Sequence, residues 1–145
     1  MRIEKITYSS DSIVYLFDCY RQLYNIEPDL ESSKRYVDAQ IFRGRTTILA
    51  AITRSGAVGF IQFGDRYCSC LGKILLLNDL FVDPSCRNMG IGRELMEEAL
   101  EYGKARGASV VELETEVDNK VAQRLYESLG YKRDTRYITY TRGIE

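Results

Sequence analysis

The stretch from Asn78 to Arg93 constrains this chain's fold more than any other. It reads Asn78-Asp79-Leu80-Phe81-Val82-Asp83-Pro84-Ser85-Cys86-Arg87-Asn88-Met89-Gly90-Ile91-Gly92-Arg93. An apolar strand from Ile74 must end at Val82, because Pro84 has no N–H for a ladder. A helix follows the two glycines, over Arg93 to Arg106. It carries Leu95, Met96, Ala99, Leu100 and Gly103 on one stripe and Glu94, Glu97, Glu98 and Glu101 opposite. A strand that turns tightly into a helix leaves backbone N–H groups unpaired at the positive end of the helix dipole, where an anion can bind. Gly90 and Gly92 keep side chains out of its approach.

The other periodicities place this unit late in a mixed fold. Asp11 to Tyr24 repeats Ile13, Phe17, Tyr20 and Tyr24 at helical spacing, with Asp11 placed to cap. A second helix is expected from about Leu30 to Phe42, ending at Gly44. Thr46 to Thr53 and Val58 to Phe63 read as a hairpin turned at Arg54-Ser55-Gly56. After the central helix, Ser109 to Thr115 alternates Val111, Leu113 and Thr115 with Glu112, Glu114 and Glu116. Asn119 then caps a helix through Leu129 that Gly130 closes, and Tyr137 to Thr141 is expected as a last strand. The pattern predicts an α/β (α+β) domain over residues 1–145, with four helices and a mixed, mostly antiparallel sheet. Two prolines and no linker or repeat argue for a single domain.

What the chain lacks narrows its chemistry. With no histidine, it has no Ser-His-Asp or Cys-His nucleophile, no His-ligated zinc and no imidazole base. The net charge of -1 offers no field for a phosphate backbone, so nucleic acid is not expected as a partner. The longest aliphatic run, Ile48 to Ile52, is far short of the roughly 20 residues of a membrane span, and the amino terminus has no signal-peptide core. A cytoplasmic protein with reduced Cys19, Cys68, Cys70 and Cys86 and no metal is expected. Cys86, beside Arg87, has no base to activate it.

Of the phosphate-binding patterns, a P-loop would need a Gly-Lys-Ser/Thr ending, and a dinucleotide fingerprint a third glycine where Leu95 stands. What remains is Arg87-x-x-Gly90-x-Gly92 behind Val82-Asp83-Pro84. Downstream come the acidic alternating strand and Asn119-x-x-Ala122-x-x-x-Tyr126-x-x-x-Gly130-Tyr131. In this order and spacing the chain resembles the GCN5-related N-acetyltransferase (GNAT) family over about Leu71 to Tyr140. The first seventy residues match in pattern only. Leu77-Asn78-Asp79-Leu80-Phe81-Val82 is most similar to the histone and polyamine acetyltransferase branch, with Asn78 where that branch places a glutamate. A glutamate-base mechanism therefore does not carry over.

The resemblance implies the GNAT fold, with a central sheet of about six to seven strands flanked by four helices, acetyl-CoA as co-substrate and direct transfer to an amine acceptor. The pantetheine arm would pair along Leu80, Phe81 and Val82, with a backbone N–H there facing the developing oxyanion. Arg87, Asn88, Met89, Gly90, Ile91, Gly92 and Arg93 would hold the pyrophosphate, and Asn119 the arm. Tyr126 matches the family's general acid. Asp79 is the leading base, directly or through water, with Glu114 or Glu116 as alternatives. Tyr20, Tyr24, Asn78 and Glu114 would line the acceptor pocket. The expected activity is N-acetylation of a small primary amine, polyamine-like or amino-acid-like. A protein or peptide acetyltransferase and a non-catalytic acyl-CoA-binding module are the alternatives, and near-neutral charge disfavours a tRNA-acetylating toxin. A homodimer is left open, since relatives often dimerise and nothing in Tyr131 to Glu145 decides it.

Overall fold

The computed structural model describes residues 1–144. The chain divides into two compact units, Met1–Glu114 and Thr115–Glu145. In the first, the elements run β1 (Arg2–Lys5), α1 (Asp11–Gln22), α2 (Leu30–Arg43), β2 (Thr46–Thr53), β3 (Gly56–Cys68), β4 (Gly72–Val82), a 3-10 turn (Pro84–Cys86), α3 (Ile91–Ala105) and β5 (Val110–Leu113). The second holds α4 (Lys120–Ser128). The sheet is β1-β2-β3-β4-β5, antiparallel through β4, with β5 parallel to β4 as the β4–α3–β5 crossover demands.

These are the expected four helices and mixed sheet of an α+β fold, but among the described residues the sheet has five strands rather than six or seven. Tyr137 to Thr141 forms no strand: among the described residues no ladder pairs it, and Tyr137, Ile138 and Tyr140 are exposed. Conversely, Arg2-Ile3-Glu4-Lys5 does form an edge strand on β2. Its charged residues suit an edge and give no apolar signature. Helix capping differs by one residue from the sequence expectation, since Ser10 accepts from Ile13 N at 3.5 Å and Asp11 lies inside α1. Asp29 caps α2, and Gly44 ends it at φ 63.

Helices α1 and α2 cover one face of the sheet. Ile13, Leu16, Phe17 and Val37 pack there against Ile48, Ala50, Phe60 and Phe81. Phe17 stacks on Phe60 with centroids 3.9 Å apart. Buried Asp18 ties the two helices, accepting from Ser33 Oγ at 2.9 Å and Asp29 N at 3.0 Å. On the opposite face Leu95, Met96 and Ala99 of α3 are buried, and Tyr102 meets Phe63 edge-on. At Gly59 an added Cβ would stand 3.1 Å from Phe81 O and 3.3 Å from Ile91 Cγ2, so glycine lets the start of α3 close on β3 without a neighbour giving way. Phe60→Ala is expected to cost about 3–5 kcal/mol, read from urea unfolding, because Phe60 is fully buried beneath the Phe17 ring.

Candidate active site

β4 carries one residue more than β3 can pair. Gln62 is opposite Asp79 and Phe63 opposite Leu77, so Asn78 is a bulge. Leu77 and Asp79 would share a face of an unbroken strand. Their partners Phe63 and Gln62 are neighbours that face opposite sides, and so Leu77 and Asp79 do too. The bulge thus turns Asp79 toward α1 and α2 and leaves Asn78 exposed.

Asp79 meets a cluster of phenols there. Its Oδ2 accepts from Gln62 Nε2 at 2.5 Å, and its charge acts on the Tyr20 phenol. Tyr20 and Tyr24 hydroxyls lie 3.2 Å apart, and Gln62 Nε2 also donates to Tyr36 Oη at 3.0 Å. The Tyr20 ring lies 5.8 Å from Phe60 and 5.9 Å from Phe81. Burial, then the Tyr24 bond and the Asp79 charge, push the Tyr20 phenol far above the ordinary 10.0. Tyr36 is also pushed up, mainly by burial and further by Asp79, against the lowering effect of its Gln62 bond. Both phenols stay neutral at any physiological pH, and Asp79 supplies the negative charge of the cluster.

Beyond Leu77 the sheet opens. The β4–β5 ladder ends at Leu77↔Leu113, while β4 runs on to Val82 beside β3. Among the described residues no strand pairs with the β5-side edge of residues 78–82, where alternate residues direct N–H and C=O away from β3.

The loop after β4 builds the cradle. Asp83 receives bonds from Ser85 N at 2.9 Å and Ser85 Oγ at 2.6 Å, which hold its carboxyl below the ordinary 3.8. Arg87 folds back, donating from Nε to Val82 O at 3.0 Å with its guanidinium 5.6 Å from the Phe81 centroid. Asn88 and Gly90 take left-handed φ of 63 and 81. The first helical bond of α3 runs from Glu94 N to Gly90 O at 3.0 Å, so the amides of Ile91 and Gly92 precede the ladder. An added Cβ at Gly90 would meet nothing within 4 Å, so open space adjoins this backbone. Met89 and Arg93 are exposed, and Ile91 is buried.

Of the other expected site residues, Glu114 belongs to the first unit, and Asn119 and Tyr126 to the second. Glu114 follows the last β5 pair and is exposed, and among the described residues no hydrogen bond or ion pair joins it to Asp79. In the second unit, Asn119 caps α4, accepting from Ala122 N at 3.2 Å. Tyr126 on that helix has its ring 6.3 Å from Tyr131. Burial, with a contribution from Tyr126, raises the Tyr131 phenol above 10.0. Sequence reasoning missed Gln62, Tyr36 and Thr46. The available signals were one amide inside the apolar run Val58 to Phe63, and the adjacent polar pair Asn78-Asp79, which breaks a period of two.

The model of the acetyltransferase (GNAT) family matches residues 13–131. The chain belongs to that family. It is an acyltransferase of the N-acetyltransferase type. This GNAT chain is 34% identical over 139 residues to YhfO, an uncharacterized N-acetyltransferase of Bacillus subtilis (strain 168), covering 95% of this chain and 93% of that one. It is 45% identical to human N-alpha-acetyltransferase 30 over 62 residues, 42% of this chain and 17% of the other. The crystal structure of a probable acetyltransferase superposes at TM-score 0.91 with 30% identity, covering 100% of this chain and 99% of that one. Aminoglycoside acetyltransferase AAC(6')-Iy, solved with a CoA-based bisubstrate analogue, shares the fold at TM-score 0.79 and 20% identity over 99% and 98% of the two chains. Among the described residues no helix is long and apolar enough to cross a membrane, and no group of three or more His, Cys, Asp or Glu could hold a metal ion.

The raised phenols predict alkaline sensitivity. Above 10.0 the unfolded chain loses tyrosine protons that the folded chain keeps on Tyr20 and Tyr36, so stability is full below that value and falls as pH rises past it. Tyr20→Phe should flatten the fall in urea midpoint between about pH 8 and about pH 11. A slope identical to wild type would show that Tyr20 does not contribute.

Proposed function

We propose that this GNAT chain transfers the acetyl group of acetyl-CoA to a primary amine of a small molecule, polyamine-like or amino-acid-like, with donor and acceptor bound together. The observation that carries this reading is the bulge-turned Asp79, set among neutral tyrosines on the strand whose far edge stands open. The residues of the loop fit the donor's pyrophosphate. The backbone is left-handed at Asn88 and Gly90, open space adjoins Gly90, helix amides precede the ladder, and Arg87 and Arg93 flank them. The open edge of Leu80 to Val82 suits an extended arm bearing amides. Acetyl-CoA supplies the activated acyl group as a thioester.

The residues of the chain then divide the proton work. Asp79 attracts the acceptor ammonium and takes its proton, directly or through water, so that the amine nitrogen can form the new C–N bond as the C–S bond breaks. A backbone N–H near Leu80 or Phe81 donates to the carbonyl oxygen as charge builds there. Tyr126 Oη gives a proton to the departing sulfur, and Asn119 steadies the donor arm. Tyr20 and Tyr24 border the acceptor. The likeness to N-alpha-acetyltransferase 30 favours a second reading, in which the acceptor is the α-amine of a peptide lying across exposed Tyr24 and Tyr36.

A thiol-release screen with acetyl-CoA against polyamines, amino acids, aminoglycosides and peptides tests both readings. Acetyl-CoA at about a hundred times its Kd should stabilise the fold by about 2.7 kcal/mol, and no thermal shift would refute the cradle. Gly90→Val should abolish that shift. Asp79→Asn should lower kcat by about 10²–10⁴-fold. Tyr126→Phe should lower kcat with acetyl-CoA binding unchanged, and an unchanged kcat would remove Tyr126 from the acid role.

A further inference from the structure

Gln62 is an amide where the strand calls for an apolar side chain. Its neighbours Val58, Phe60, Ile61 and Phe63 are buried, and Gln62 itself is only 1% exposed. An amide so placed needs partners for all its groups. It has them: one N–H of Nε2 goes to Asp79 Oδ2 at 2.5 Å, the other to Tyr36 Oη at 3.0 Å, and Oε1 accepts from Thr46 Oγ1 at 2.8 Å. The direction of the amide is dictated by one partner. Hydroxyls such as Thr46 and Tyr36 can donate or accept, whereas an ionised carboxylate only accepts, so Asp79 requires Nε2 and excludes Oε1. Packing alone would be met by methionine, which has the same reach. What the amide adds is a charge-assisted bond to Asp79 and a fixed partner for Tyr36.

The bulge sharpens this role. Asn78 has no partner on β3, so the backbone at Asp79 sits at the one irregular point of the β3–β4 ladder. Gln62, directly opposite, is the side chain that holds the Asp79 carboxylate from the neighbouring strand. We infer that Gln62 is a positioning residue of the transfer reaction, fixing the Asp79 carboxylate in the orientation the bulge gives it. The inference rests on Asp79 acting on the acceptor amine, as proposed above.

The test is a double-substitution cycle joined to a spectroscopic readout. Gln62→Met should lower kcat roughly 10- to 100-fold, with KM for acetyl-CoA and its thermal shift within about twofold of wild type. In an Asp79→Asn background the same change should alter kcat by less than about twofold, because Gln62 acts through Asp79. Gln62→Leu, apolar like its strand neighbours and without a donor, should lose kcat as Gln62→Met does and guards against a folding defect of the methionine variant. Equal fold-losses in both backgrounds, or a kcat unchanged in Gln62→Met and Gln62→Leu, would overturn the inference. Independently of turnover, one Gln62 side-chain amide proton, assigned by its loss in Gln62→Met, should lie downfield in a nitrogen–proton correlation spectrum and move upfield in Asp79→Asn. A resonance indifferent to Asp79→Asn would also overturn it. Wild-type protein that acetylates no amine would instead sink the functional reading, while the resonance still decides whether Gln62 holds Asp79.

Discussion

Asn78 is surplus to the ladder between β3 and β4, and that one unpaired residue sets which side of the sheet Asp79 faces. Were the strand regular, Asp79 would follow Leu77 toward α3, into a layer that holds Leu95, Met96 and Ala99. A carboxylate there would be desolvated with no donor to compensate. On the α1–α2 side it finds the amide of Gln62 and the phenol of Tyr20. Past the same point the partners of β4 also change. Below the bulge it pairs on both edges, and above it only with β3. One backbone irregularity thus marks both the carboxylate and the start of the open edge.

A chain without histidine must arrange its protons differently, and the tyrosines show how. Tyr20 and Tyr36 are held neutral by burial and by the negative charge beside them, so they act as hydrogen-bond donors or acceptors and never as bases. That leaves Asp79 as the anion beside both phenols. The Asp18 network secures the same arrangement from outside. By pinning the start of α2 to α1, it fixes the separation between the helix that bears Tyr20 and the helix that bears Tyr36.

The elements that were legible in the sequence are those written locally. Pro84 stops β4, Gly90 opens α3 in a left-handed turn, Gly44 ends α2, and the heptad-like stripe of Leu95, Met96 and Ala99 announces a buried helix face. Short or unpaired pieces misled: β1 is four mostly charged residues, and Tyr137 to Thr141 has strand-like composition without a ladder. Site residues divide the same way. Asp79, Tyr20, Arg87 and the two glycines stand out by type and spacing. Gln62 and Tyr36 do not, because Gln62 meets Asp79 through strand register across 17 residues and Tyr36 meets Gln62 through helix docking across 26. A lone amide in an apolar strand announces only that a partner exists, and register decides which.

The open edge of β4 also bears on how the protein keeps company with other chains. Unpaired strand edges recruit foreign strands and seed aggregates. Here the vulnerable stretch is interrupted at one end by the bulge at Asn78 and at the other by Pro84, which cannot extend a ladder. Between those two points a foreign strand could pair over residues 78–82 alone. The bulge and the proline that frame this edge therefore also keep short the stretch on which a foreign strand could pair.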